Sequence, residues 1–146
     1  MATYTYEFRV TPTVQNSIYT VDRQLCAPIV VGGLVPPNNA LRINGITVID
    51  LAGGNPALDF IFFTKAVTIT NGINQTCNVS TAELQSNCTL IERVGASAYT
   101  ASALGGAQTI ASTHPSNLVI SADSSGSFKM AVMTRTAITP ATTSQY

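Results

Sequence analysis

Apolar and polar residues alternate over Thr3–Val10, with Tyr4, Tyr6, Phe8 and Val10 on one side and Thr5, Glu7 and Arg9 on the other. A period of two in β-favouring residue types predicts a strand. Pro12 ends it. Short strands are expected over Ile18–Val21 and Leu25–Val31, closed by the turn formers Gly32-Gly33 and Pro36-Pro37.

The centre of the chain, Asn39–Thr64, holds two strand-like apolar runs, Ile46–Leu51 and Leu58–Thr64, joined by Gly53-Gly54-Asn55-Pro56. That connector cannot continue a helix, and its glycines permit the positive φ that a chain reversal needs. It reads as a β-hairpin or a strand-to-strand corner. Within Leu41–Leu51 the alternation changes phase: Leu41 and Ile43 share a face, but after Asn44-Gly45 the apolar set moves to Ile46 and Val48. A bulge or tight loop at Asn44-Gly45 would shift the pleat by one residue in this way. In Leu58–Thr64 both faces are mostly apolar, which predicts a central or interfacial strand.

Beyond a polar loop at Val67–Gln75, Ser80-Thr81-Ala82-Glu83 matches a capping box, with Val79 and Leu84 spaced for a hydrophobic staple. A short helix is expected over 80–87, and Leu90–Val94 returns to strand character. Gly95–Gly106 reads as a loop, Thr109–Ser112 and Asn117–Ser121 as strands, and Asp123-Ser124-Ser125-Gly126 as a hairpin turn. Phe128–Thr136 alternates as a long final strand. About eight short strands punctuated by Gly, Pro and Asn turns indicate an all-β fold, a jelly-roll-like β-sandwich with one short helix near 80–87. The chain has the length of one domain (1–146), and its ends, 1–17 and 137–146, read as extended arms.

Composition adds one unusual fact. Only 10% of residues are charged, against roughly 25% in an average soluble domain, and seven basic and seven acidic side chains cancel. Twenty Thr and twelve Ser must supply much of the polar surface instead. Without net charge to keep copies apart, such a surface suits a protein that works inside a larger assembly. Two Lys and five Arg, scattered along the chain, give no basic stripe, so nucleic acid is not an expected partner. No apolar run nears the roughly 20 residues that span a bilayer, so no membrane role is expected. The N-terminus lacks the pattern of a signal peptide, and the sequons at Asn74, Asn78 and Asn87 are accordingly expected to stay unmodified.

Candidate chemistry is sparse. The single His114 precedes a proline, and neither a GxSxG elbow nor a cysteine-nucleophile signature accompanies it. Cys26, Cys77 and Cys88 form no CxxC pair and read as buried thiols. Asp50 and Asp59 flank the central connector, but they are expected to form a solvated or hydrogen-bonded turn pair rather than the catalytic carboxylates of a glycosidase. The pairs Gly32-Gly33, Gly53-Gly54 and Gly105-Gly106 lack the spacing of a phosphate loop. No catalytic residue, cofactor or metal site is expected. Tyr4, Tyr6, Phe8, Ile61 and Phe63 are the candidate interface residues.

The central segment resembles the capsid decoration (cement) proteins of tailed phages, a jelly-roll family. The resemblance rests on Tyr19-Thr20, Val31-Gly32-Gly33-Leu34, Asn39-Ala40 with Arg42, Gly45-Ile46 with Val48 and Leu51, and Asn55-Pro56-Ala57-Leu58-Asp59-Phe60-Ile61-Phe62-Phe63. The helix signal at Ser80–Leu84 and the strand at Leu90–Val94 extend it, for a cover of about residues 18–95. The loop before the helix departs from the family in carrying Thr, Asn and Gly where acidic residues are usual. The resemblance implies a homotrimer made in the host cytoplasm. It would sit on the outer capsid surface of the virion, bind the major capsid protein and stabilise the shell. A receptor- or glycan-binding module of a phage tail, or another tail or neck component, is the alternative.

Overall fold

The computed structural model describes residues 7–33, 36–63, 67–102, 106–115 and 118–146. The fold is all-β with one short helix, as the residue pattern predicts. In chain order the elements are β1 (Ile29–Val31), β2 (Ala40–Ile43), β3 (Ile46–Asp50), β4 (Leu58–Phe63), α1 (Thr81–Asn87) and β5 (Cys88–Val94). After a 3₁₀ turn at Ala96–Ala98 come β6 (Thr100–Ala101), β7 (Thr109–Thr113), β8 (Leu118–Ser121) and β9 (Phe128–Thr134).

Every pairing is antiparallel. One sheet has the order β1-β9-β4-β5, and facing it are β3-β7-β6 and the pair β2-β8. The inner faces meet in a core of Val48, Ala111, Leu118 and Ile120 against Leu58, Phe60, Phe62, Val94, Phe128 and Val132. This is a sandwich-like arrangement, in which alternate residues of each strand leave water together.

The phase change at Asn44-Gly45 has a more specific cause than a bulge in one strand. Ile43 is opposite Leu118 in one sheet and Ile46 is opposite Thr113 in another. The chain leaves one small sheet and enters the next here, and the inward set changes from Leu41 and Ile43 to Ile46, Val48 and Asp50.

The Gly53-Gly54-Asn55-Pro56 connector is a corner and not a hairpin, because β3 and β4 belong to different sheets. Gly53 (φ 70°) and Asn55 (φ 51°) take the left-handed region. A Cβ on Gly53 would stand 2.4 Å from the Ala107 carbonyl oxygen, so glycine is required for both conformation and space. Likewise Asp123–Gly126 forms the expected turn, with Asp123 N–H donating to Ser127 O at 2.8 Å. The strands beside it diverge, β8 to one sheet and β9 to the other.

β4 is central and buried on both faces. Leu58, Phe60 and Phe62 face the main core, while Phe63 packs with Val67 and Ala131 in a second cluster that Ile61, Ile69, Val79 and Cys88 flank. The capping box forms as expected: Ser80 Oγ accepts from Glu83 N–H and the Glu83 carboxylate accepts from Ser80 N–H. Gly95–Gly106 carries the 3₁₀ turn and β6 where a plain loop was expected.

Three N-terminal expectations need correction. Glu7–Val10 joins no strand, and Phe8 and Val10 are exposed; Thr3–Tyr6 lies outside the described residues. Alternation predicts a strand only where a sheet edge accepts it. The expected strands Ile18–Val21 and Leu25–Val31 shrink to single bridges, Tyr19 with Ile138 and Gln24 with Met133, plus β1. Asp22, at φ 63°, breaks the run between them.

The C-terminal segment is no free arm. Ile138 bridges Tyr19, Val14 N–H donates to Thr143 O at 3.0 Å, and Leu51 N–H donates to Gln145 O at 2.9 Å. Ile138 and Tyr146 pack on the main core and Gln145 is buried. The segment is a strap that closes one end of the sandwich.

Candidate functional site

The strap ends on a buried polar cluster around Asp50. The Asp50 side chain, fully buried, accepts on Oδ1 from Ala52 N–H (3.0 Å), Gly53 N–H (3.2 Å) and Gln145 Nε2 (2.9 Å), and on Oδ2 from Asn55 N–H (2.8 Å). Gln145 Oε1 in turn accepts from Ala141 N–H at 2.6 Å, and Gln145 Nε2 lies 2.9 Å from the Tyr146 hydroxyl. Burial and then the Asp50 charge raise the hydroxyl pKa of both Tyr99 and Tyr146. Tyr99 Oη is buried and unpartnered among the described residues. Four hydrogen bonds commit Asp50 to holding the corner and the strap.

Asp59 is equally occupied. Arg93 grips it through Nε–Oδ1 (2.6 Å) and a second nitrogen to Oδ2 (2.8 Å), and Arg135 Nε is 3.4 Å from Oδ2. Arg135 also bonds Asp22. The Asp59 hydrogen bonds and charge raise the Arg93 pKa. The two carboxylates flanking the connector are therefore not a pair: Asp50 points into the corner between sheets, while Asp59 lies on the outer face of the four-stranded sheet. Asp50 makes turn hydrogen bonds as expected, whereas Asp59 lies within β4 in an ion pair with Arg93 and not in a turn pair with Asp50.

Other groups with chemical potential are dispersed. The exposed His114 lies beside Gly45, within 3.4 Å of where a glycine Cβ would stand. Cys26 is buried, which pushes its thiol up to about 12, whereas Cys77 and Cys88 are half-buried, so only one of the three is fully enclosed. A shallow apolar hollow of about 220 Å³ lies over Cys26, between Val10–Thr13 and Ile29. Among the described residues no three His, Cys, Asp or Glu side chains assemble as metal ligands would, and no helix is long and apolar enough to cross a membrane. The sequon amides Asn74 and Asn78 both donate inside the protein, to Ile18 O and to Thr70 Oγ1.

No family model, curated protein or solved structure matches this chain at a significant level. Its own surface is what remains to be read.

The candidate interface residues fare unequally. Tyr4 and Tyr6 lie outside the described residues, and Phe8 is exposed in an extended segment. Ile61 is half-buried and sits opposite the exposed Ile91 on the outer face of the four-stranded sheet. Phe63 is a correction: it has no exposed surface within its own protomer, because the 67–79 segment folds over that end of β4, so it cannot meet another molecule.

The surface that sequence reading missed is the outer face of the opposite layer. Thr47, Ile49 and Leu51 follow one another on one side, with Ile110 opposite Ile49 and Ser112 opposite Thr47. Ile49, Leu51 and Ile110 are 48%, 51% and 37% exposed, and Val119 on β8 is 48% exposed. The signal was present, since Thr47-Val48-Ile49-Asp50-Leu51 alternates apolar residues onto both faces. What one sequence could not show was which face the core takes, because the buried position at the end is the charged Asp50.

Proposed function

We propose that this chain is a structural protein of a larger protein assembly, with no catalytic role. The observation that carries this reading is the uncharged, apolar outer face around Ile49, Leu51 and Ile110 on a chain of zero net charge. Such a face is costly to leave in water and suits contact with protein. The commitment of Asp50 and Asp59 to internal hydrogen bonds supports the same reading, since neither carboxylate is left for proton transfer.

The assembly we favour is the shell of a tailed-phage particle, with this chain as a decoration protein on its outer surface, bound to the major capsid protein. That step rests on the resemblance of residues 18–95. Quantitative proteomics of purified particles tests it. The expected result is this chain at a fixed, high ratio to the major shell subunit, and its stripping should lower the temperature at which the particles burst. Its absence from particles, or a few copies at a tail, would refute the shell assignment.

A further inference from the structure

Charge is unevenly distributed over the two outer faces of the sandwich. The four-stranded sheet carries Asp22, Asp59, Arg93 and Arg135 at one end, and Lys129 and Glu83, linked through Val67 and Thr68, at the other. The opposite face, built from β2-β8 and β3-β7-β6, presents Thr47, Ile49, Leu51, Thr100, Ile110, Ser112 and Val119, with Arg42 on β2 as its single charge among the described residues.

We propose that this second face is a self-association surface, and that its occupant is the same face of a second copy, packed about a twofold axis. The surface is a pleated sheet, so it fits another apolar sheet at the usual spacing of about 10 Å. A partner rich in charge would lose hydration here and gain little charge in return. A second copy brings none of that cost: its matching face offers the same isoleucines and hydroxyls, and zero net charge adds no repulsion. A patch that meets itself pairs isologously, which gives a dimer.

The size of the face sets the strength. β2, of four residues, and β3, of five, are roughly 13 Å and 17 Å long, and each small sheet is about 10–14 Å wide. Together they would bury roughly 350–400 Å² per copy, about half of what a stable complex of standard size buries. The association is therefore weak alone, with Kd in the micromolar range or above, and gains force where copies are held side by side. This inference does not rest on the phage-shell assignment, and its twofold dimer departs from the homotrimer that the resemblance implies.

Sedimentation equilibrium of the full chain from 1 to 300 µM tests it. The expected result is a monomer–dimer equilibrium. Ile49→Lys and Ile110→Lys should each raise Kd at least tenfold, while Ile91→Lys on the opposite outer face leaves it unchanged. Thermal melting followed by circular dichroism identifies any variant that is unfolded, and the milder Ile49→Thr then replaces it, with a smaller rise in Kd expected. A protein that stays monomeric at 300 µM overturns the proposal. So does a trimer, or an association that Ile91→Lys weakens and Ile49→Lys does not.

Discussion

Replacing Asp50 by alanine removes a carboxylate that four N–H groups share. Three of the donors belong to Ala52, Gly53 and Asn55, which are half-buried, so each regains some water and its loss costs about 1 kcal/mol. The fourth, Gln145 Nε2, is in a residue only 2% exposed, and losing its charged acceptor costs about 2 kcal/mol. Removing the buried charge returns part of its desolvation cost, of order 1–2 kcal/mol. The net expectation is a loss of about 3–4 kcal/mol, a large share of the roughly 5–15 kcal/mol that stabilises a domain.

Asp50→Asn is the informative companion. Its amide oxygen can still serve Ala52, Gly53 and Gln145, but its NH₂ would face the Asn55 N–H, so a loss of about 2 kcal/mol is expected. Gln145→Ala should cost a similar amount, and Asp50→Ala with Gln145→Ala less than the sum, because the two share a bond. Equilibrium urea unfolding followed by tyrosine fluorescence measures these differences, since the chain has no tryptophan. If Asp50→Ala lies within about 1 kcal/mol of the unmodified protein at unchanged m-value, the carboxylate does not hold the strap and the account is wrong.

Three further outcomes follow from the same structure. Phe63→Ala should cost about 3–5 kcal/mol in urea unfolding while leaving the monomer–dimer equilibrium unchanged; a change in association with little loss of stability would restore Phe63 to an interface. Hydrogen bonds from Thr68 N–H, then from Ser80, hold the Glu83 carboxyl below its ordinary range, and those from the Ser125 hydroxyl, then from Ser127 N–H, do the same for Asp123. Depressed folded-state values stabilise above the ordinary carboxylate range near pH 4, and that stability disappears as pH falls through the lowered values. Melting temperature should therefore fall with pH below about 4, and Glu83→Gln with Asp123→Asn should flatten that slope; an unaltered slope argues against these bonds. Finally, the raised pKa and burial of Cys26 predict that a thiol reagent at pH 8 labels Cys77 in the native protein but reaches Cys26 only after unfolding, as peptide mapping would show.

Local signals with a local cause were legible in the sequence. The capping box at Ser80 and Glu83 needs only four neighbouring residues, and the two apolar faces of Leu58–Phe63 declare a strand covered on both sides. Signals that depend on a distant partner were not. The alternation of Glu7–Val10 is as regular as that of β9, yet no edge among the described residues takes it up. The phase change at Asn44-Gly45 was visible, but its cause is a change of partner some seventy residues away, from Leu118 on β8 to Thr113 on β7. The strap escaped notice because Ala137–Tyr146 has no periodicity; a buried glutamine and backbone bonds to Val14 and Leu51 hold it. The apolar outer face shared this fate, since alternation alone does not say which side meets the core.

The strap also governs when the fold can close. Asp50 and Gln145 are 95 positions apart, and Val14 waits for Thr143 across almost the whole chain. During synthesis the corner beyond β3 and the segment around Tyr19 emerge long before the residues that cover them. The loop to be closed is nearly as long as the chain, and contacts of such separation form slowly. Until the strap arrives the nascent sandwich has one end open, with Asp50 short of its fourth donor. A C-terminal tag or fusion that slows docking of residues 138–146 would prolong that interval, and yield of folded protein should be more sensitive to changes there than at Glu7–Val10.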